Sequence, residues 1–84
     1  MLHLTSAAFW TAFGELPAEI QLLAKKNFEL LKVNPSHPSL HFKKVGSYWS
    51  VRVGYHYRAL ATEVDGAMHW HWIGSHKGYD RKTR

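Results

Sequence analysis

Residues 47–76 read SYWSVRVGYHYRALATEVDGAMHWHWIGSH, and this stretch decides the fold. From Tyr48 to Val53 the side chains alternate: Trp49, Val51 and Val53 point one way, and Tyr48, Ser50 and Arg52 the other, the period-two pattern of a half-buried strand. Gly54 ends that run. Tyr57 to Val64, rich in aromatic and β-branched residues, forms a second strand that stops at Asp65-Gly66, a dipeptide suited to a two-residue hairpin because both positions accept φ > 0. Ala67 to Ile73 then returns as a third strand beside it. A sheet of this kind buries one face and can leave the other in water. The cover is therefore sought in the N-terminal half, and the function on the polar face.

Leu2 to Leu4 suit a short first strand, and Thr5 or Ser6 an N-cap for the helix that follows. Phe9, Phe13 and Leu16 recur there at helical spacing, with Trp10 beside them. Gly14 loosens the end of this helix, and Pro17 opens a second at its first position, where the missing N–H costs nothing. Ile20, Leu23, Ala24, Phe28 and Leu31 line one face of the second helix; Glu19, Lys25, Lys26, Glu29 and Lys32 line the other, with Lys25 and Glu29 at a pairing distance. Asn34, Pro35 and Pro38 stop it and make a rigid, extended connection. Leu40 to Val45 reads as a further strand. The expectation is an α+β layer pair: a two-helix N-terminal hairpin on one face of a twisted, mainly antiparallel sheet of four strands or slightly more.

Eighty-four residues suit one domain, 1–84, with a single core. The absence of cysteine excludes a disulfide framework and a thiolate metal site, and a reducing cytoplasm suits the chain. Met1 to Phe13 is apolar, but no Lys or Arg precedes Lys25, so this segment reads as mature protein rather than a signal peptide. No apolar run reaches membrane-spanning length, and no membrane association is expected. The net charge of +5 is uneven: residues 1–42 balance three lysines against three glutamates, while Lys43, Lys44, Arg52, Arg58, Lys77, Arg81, Lys82 and Arg84 face only Glu63, Asp65 and Asp80. A basic half built on a sheet points to an anionic partner, nucleic acid ahead of membrane, against the plainer reading of a soluble domain that is simply basic.

Seven histidines are many for this length. His69 and His71 share a strand face, which leaves a two-histidine metal site open with His76 or Asp80 as third ligand. Without a second clear carboxylate the pattern reads instead as a polar face opposite the core residues Met68, Trp70 and Trp72, and no metal or other cofactor is expected. The cations are more specific. Arg52 is displayed opposite the core side chains, Arg58 opens the next strand, and Lys43-Lys44 close the previous one. His76 and Tyr79 follow in a short polar tail. These groups have the parts for RNA cleavage without a metal: a base for the 2′-hydroxyl, cations for the phosphate, and an acid for the leaving 5′-oxygen. Scattered charges on a solvated face are the alternative.

The order of these pieces resembles the RelE/ParE toxins of bacterial type II toxin–antitoxin systems over nearly the whole chain. The residues that carry this are Asn34-Pro35-Ser36-His37-Pro38-Ser39-Leu40, Phe42-Lys43-Lys44-Val45, Tyr48-Trp49-Ser50-Val51-Arg52-Val53-Gly54, Tyr57-Arg58-Ala59-Leu60 and Ile73-Gly74-Ser75-His76-Lys77-Gly78-Tyr79-Asp80. The resemblance implies a ribosome-dependent mRNA endonuclease neutralised by a cognate antitoxin, with Arg52, Arg58, His76 and Tyr79 as catalytic residues. Lys43 and Lys44 correspond to RNA-contacting positions, and Lys77, Arg81 and Lys82 add exposed phosphate contacts. Ser50 stands where some RelE members have lysine, and the few residues after Tyr79 leave no room for a further helix. ParE-like members share the fold and poison DNA gyrase instead. A non-catalytic RNA-binding domain is the third reading.

Overall fold

The computed structural model describes residues 1–83. Strand β1 (Leu2–Thr5) leads into helix α1 (Ala7–Gly14) and helix α2 (Ala18–Val33). A 3₁₀ turn (Pro38–Leu40) then precedes β2 (Lys43–Val45), β3 (Tyr48–Val53), β4 (Tyr57–Val64), β5 (Ala67–Ser75) and helix α3 (His76–Thr83). Ser6 caps α1, its hydroxyl accepting from the Phe9 N–H at 3.1 Å. Pro17 occupies the N-cap of α2, one position before the expected one, and the helix ends at Val33 as Asn34-Pro35 requires. The expected Lys25–Glu29 pair does not form. Glu29 pairs with Lys32 at 2.9 Å, one residue closer along the same face, while the Lys25 ammonium lies 5.8 Å from the centre of the Phe13 ring.

The strands form one five-stranded sheet in the order β1-β5-β4-β3-β2. Strands β2 to β5 make an antiparallel meander, and β1 pairs parallel with β5, so the sheet is mixed. Asp65 and Gly66 both take positive φ, 52° and 79°, the backbone expected of the tight β4–β5 hairpin. The strand expected over Leu40–Val45 is shorter: Leu40 completes the 3₁₀ turn with no exposed surface, and pairing begins only at Lys43. Burying Leu40 against the sheet turns the chain away from the extended path that Pro35 and Pro38 suggested.

Helices α1 and α2 cover one sheet face. Phe13, Leu16, Ala24 and Leu31 meet Val51, Val53, Ala59, Ala61, Met68, Trp70 and Ile73 in the core, with Leu40 at its edge. The Gln21 amide donates to the Phe13 and Leu16 carbonyls, tying the two helices together, and the Asn27 amide donates to the Arg52 carbonyl, tying α2 to the end of β3.

Two features depart from the sequence reading on the other face. Between the pairs Leu60↔Trp72 and Ala61↔Trp70 the β5 register slips by one residue, leaving His71 as the extra residue of a bulge. Trp70 aligns with Ala61 and Trp49 on the helix side, whereas Trp72 aligns with Leu60 and Ser50 on the opposite side. Trp72 is therefore not a partner of Trp70 in the core, because a bulge reverses which face the following residues enter. The residues read as a polar tail form α3, which packs on β4 and β5 on the sheet face that carries Leu60 and Ser50, both fully buried. Trp72 supplies its seat. A methyl group added to Gly74 would lie 2.4 Å from the indole, and one added to Gly78 of α3 2.7 Å from it, so the ring is held between two glycines.

Candidate functional site

Beside α3 the open sheet face carries a row of cations. Arg52 of β3 and Arg58 of β4 are direct cross-strand partners, and Gly74 of β5 continues the row. Like charges placed opposite one another on a sheet destabilise it. Among the described residues neither arginine has a carboxylate partner, since the ion pairs are Glu29–Lys32 and His76–Asp80. Arg58 donates to the buried Ser50 hydroxyl at 3.1 Å, and its guanidinium carbon lies 5.0 Å from the centre of the Tyr79 ring. The Arg52 guanidinium lies 5.4 Å from the Tyr55 ring, and its Nε is buried without a hydrogen-bond partner. An orphaned buried donor on a cation is expensive to leave so. It leaves the site one hydrogen bond short of an acceptor.

His76 begins α3 where its backbone N–H bonds the His56 carbonyl at 2.8 Å. Its Nδ1 lies 3.4 Å from the Asp80 carboxylate, one helical turn on, and its ring centre 5.6 Å from that of Tyr79. Tyr79 is buried, not solvated: it is the anchor by which α3 sits beneath Arg58. His76, Tyr79, Arg58 and Arg52 thus form one connected file.

The remaining predicted contacts divide. Lys43 pairs with Ser50 and belongs to the open face, whereas Lys44 pairs with Trp49 and belongs to the helix side of the edge strand. Lys77 and Arg81 are exposed on α3, and the Lys82 ammonium lies 5.7 Å from the Trp72 ring. His69 pairs with Thr62, while His71, the bulge residue, places Nε2 3.2 Å from the Thr62 hydroxyl. Burial, and after it Lys82, holds the His71 imidazole below its ordinary pKa.

His41 also belongs to this site, although the sequence reading does not single it out. It caps the 3₁₀ turn that packs on β3, two residues before Lys43, which pairs with Ser50 on the open face. The Arg52 guanidinium is the main cause that holds its imidazole below the usual pKa, with lesser contributions from desolvation, Arg58 and Lys43. The alternation Leu40-His41-Phe42-Lys43 carries the signal, with apolar residues toward the core and His41 in phase with Lys43.

A family model described as a ParE-like toxin domain matches residues 18–81. Among solved structures, a chain of the RelB–RelE antitoxin–toxin complex from Methanococcus jannaschii superposes with a TM-score of 0.74 at 19% identity, covering 96% of this chain and 99% of that one. A copper-bound mutant toxin from Helicobacter pylori superposes with a TM-score of 0.60 at 15% identity, covering 93% and 97%. No curated protein matches the chain.

Proposed function

The chain belongs to the ParE-like toxin domain family, within the RelE/ParE toxin superfamily, and from that membership we propose that it cuts mRNA on the ribosome without a metal, restrained by a cognate antitoxin. The observation that carries the reading is the Arg52–Arg58 pair, two arginines directly opposite on neighbouring strands with no carboxylate partner among the described residues and one buried donor unfilled. A phosphodiester answers all three conditions. Its non-bridging oxygens take the forked donors of arginine, and charge grows on them as the phosphorus becomes five-coordinate.

The geometry supports the following roles. Tyr79 holds Arg58 from below, and Ser50 fixes the other side of its guanidinium. The 2′-oxygen attacks phosphorus after losing its proton to a base, and His76, oriented by Asp80, returns a proton to the departing 5′-oxygen. The products are a 2′,3′-cyclic phosphate and a free 5′-hydroxyl. Such a protein works in the cytoplasm, where messages are translated. The antitoxin partner is drawn from the superposed complex, in which a RelE-type toxin is bound by its antitoxin.

A second reading, inhibition of DNA gyrase, is favoured by the ParE-like description of the matching family model. Expression in bacteria separates the two. Growth arrest with cuts mapped by primer extension to ribosome-bound codons is the expected result, and Arg52→Gln or Arg58→Gln slows single-turnover cleavage about 10²-fold while ribosome binding persists. DNA-damage signalling with intact messages assigns the chain to gyrase.

A further inference from the structure

His41 is exposed, yet two neighbours fix its place. Leu40 before it is fully buried, and the Phe42 ring after it lies 5.0 Å from Trp49 and 6.4 Å from Trp70. Between these anchors His41 takes φ 44° and ψ 45°, the left-handed conformation, and its N–H closes the 3₁₀ turn on the Pro38 carbonyl at 3.3 Å. Histidine enters that region more readily than most residues. Of the neighbouring imidazoles, His37 is already engaged, its Nδ1 accepting from the Ser39 N–H at 3.2 Å. His41 is free of such bonds among the described residues and stands at the end of the file His76, Tyr79, Arg58, Arg52.

We propose that His41 is the general base of the cleavage, set across the two arginines from His76. The inference rests on the ribonuclease reading and supplies the group that reading leaves unnamed. The ring nitrogen takes the proton of the 2′-hydroxyl; the 2′-oxygen–phosphorus bond forms, the phosphorus–5′-oxygen bond breaks, and the 5′-oxygen receives its proton from His76. Two histidines on opposite sides of one phosphate divide base and acid, so neither has to change role within a turnover. The charged groups facing His41 are Lys43 of β2, Arg52 of β3 and Arg58 of β4, all cations, which favour the neutral ring that a base requires.

The test is single-turnover cleavage of a ribosome-bound message between about pH 5 and 8, the range in which imidazole titrates. In the parent, the rate rises with pH through an acid limb below the ordinary histidine value and passes through a maximum, because the base must be neutral and the acid protonated. His41→Asn, which tolerates the left-handed backbone, is expected to lower the maximal rate on the order of 10²-fold or more and to erase that limb. Melting temperature and ribosome binding are unchanged, and His37→Asn cleaves like the parent. Arg52→Gln, besides slowing cleavage, moves the acid limb upward. A His41→Asn protein that cleaves at the parental rate, or slowly with the limb intact, overturns the assignment while leaving the ribonuclease reading standing. A parent that leaves the message whole removes both.

Discussion

Trp72 shows how much one side chain can decide. Its indole fills the space between Gly74 below and Gly78 above, and the Lys82 ammonium lies against it. Gly74→Ala puts a methyl group into the ring, so the indole or α3 must move; overpacking of this kind costs about 1–3 kcal/mol. Thermal melts of Gly74→Ala are expected to show that loss, whereas Gly14→Ala, whose new methyl meets nothing within 4 Å, is neutral or mildly stabilising. Equal melting temperatures for the two variants contradict the packing account. The sequence disclosed the Arg52 and Arg58 faces correctly because both lie on regular pairing, where alternation holds. Trp72 lies beyond the bulge at His71, and a single residue outside the ladder leaves no trace in the run Met68-His69-Trp70-His71-Trp72-Ile73.

Among the elements, β1 has an attachment that should respond to acid. His3 anchors it: the Trp70 indole N–H donates to His3 Nδ1 at 2.9 Å, and the ring packs on Trp70 and edge-on to Phe28 of α2. Burial, then the chain amino group and Lys32, hold this imidazole below its ordinary value of 6.5. Between the two values the unfolded chain binds more protons than the folded one. The stability linked to His3 is therefore complete above about pH 6.5 and is lost as pH falls through the lower folded value. Melting temperature and protection of the β1 amides, corrected for intrinsic exchange, should both fall on acidification. His3→Gln, with an acceptor that does not titrate, should flatten that fall, leaving the part owed to His41 and His71. Identical pH slopes in the two proteins refute the role given to His3. Helices α1 and α2 and strands β3 to β5 were legible from their periods. Helix α3 was not, since His76 to Thr83 offers one apolar anchor, Tyr79, and a glycine; it is a helix because Tyr79 and Trp72 dock it, a tertiary cause that local propensity does not carry.

At the scale of the whole molecule the charge separates into fixed and exposed parts. Arg52 and Arg58 are half-buried and braced by Tyr55, Ser50 and Tyr79, whereas Lys43, Lys44, Lys77, Arg81 and Lys82 are exposed. Neutralising members of the exposed set should weaken association with the programmed ribosome, and the salt dependence should flatten by about 0.7 in logarithmic slope for each single-strand phosphate deprived of its cation. The rate of cleavage once bound should not change. Binding titrations across salt concentrations check this, and an unchanged slope with a slower chemical step would exchange the roles of the two groups. The basic half was readable from composition; its division between braced and free cations was not, because it depends on which strand face α3 covers. The sheet order β1-β5-β4-β3-β2 also has a consequence in time. Each meander strand meets its neighbour across a turn of two or three residues, but β1 reaches β5 only by closing a loop of roughly 65 residues, Leu2 to Ala67. Loop-closure entropy makes such pairings slow to nucleate. The meander therefore forms early and β1 docks late, so the cation row of β3 and β4 assembles before the sheet has acquired its last strand.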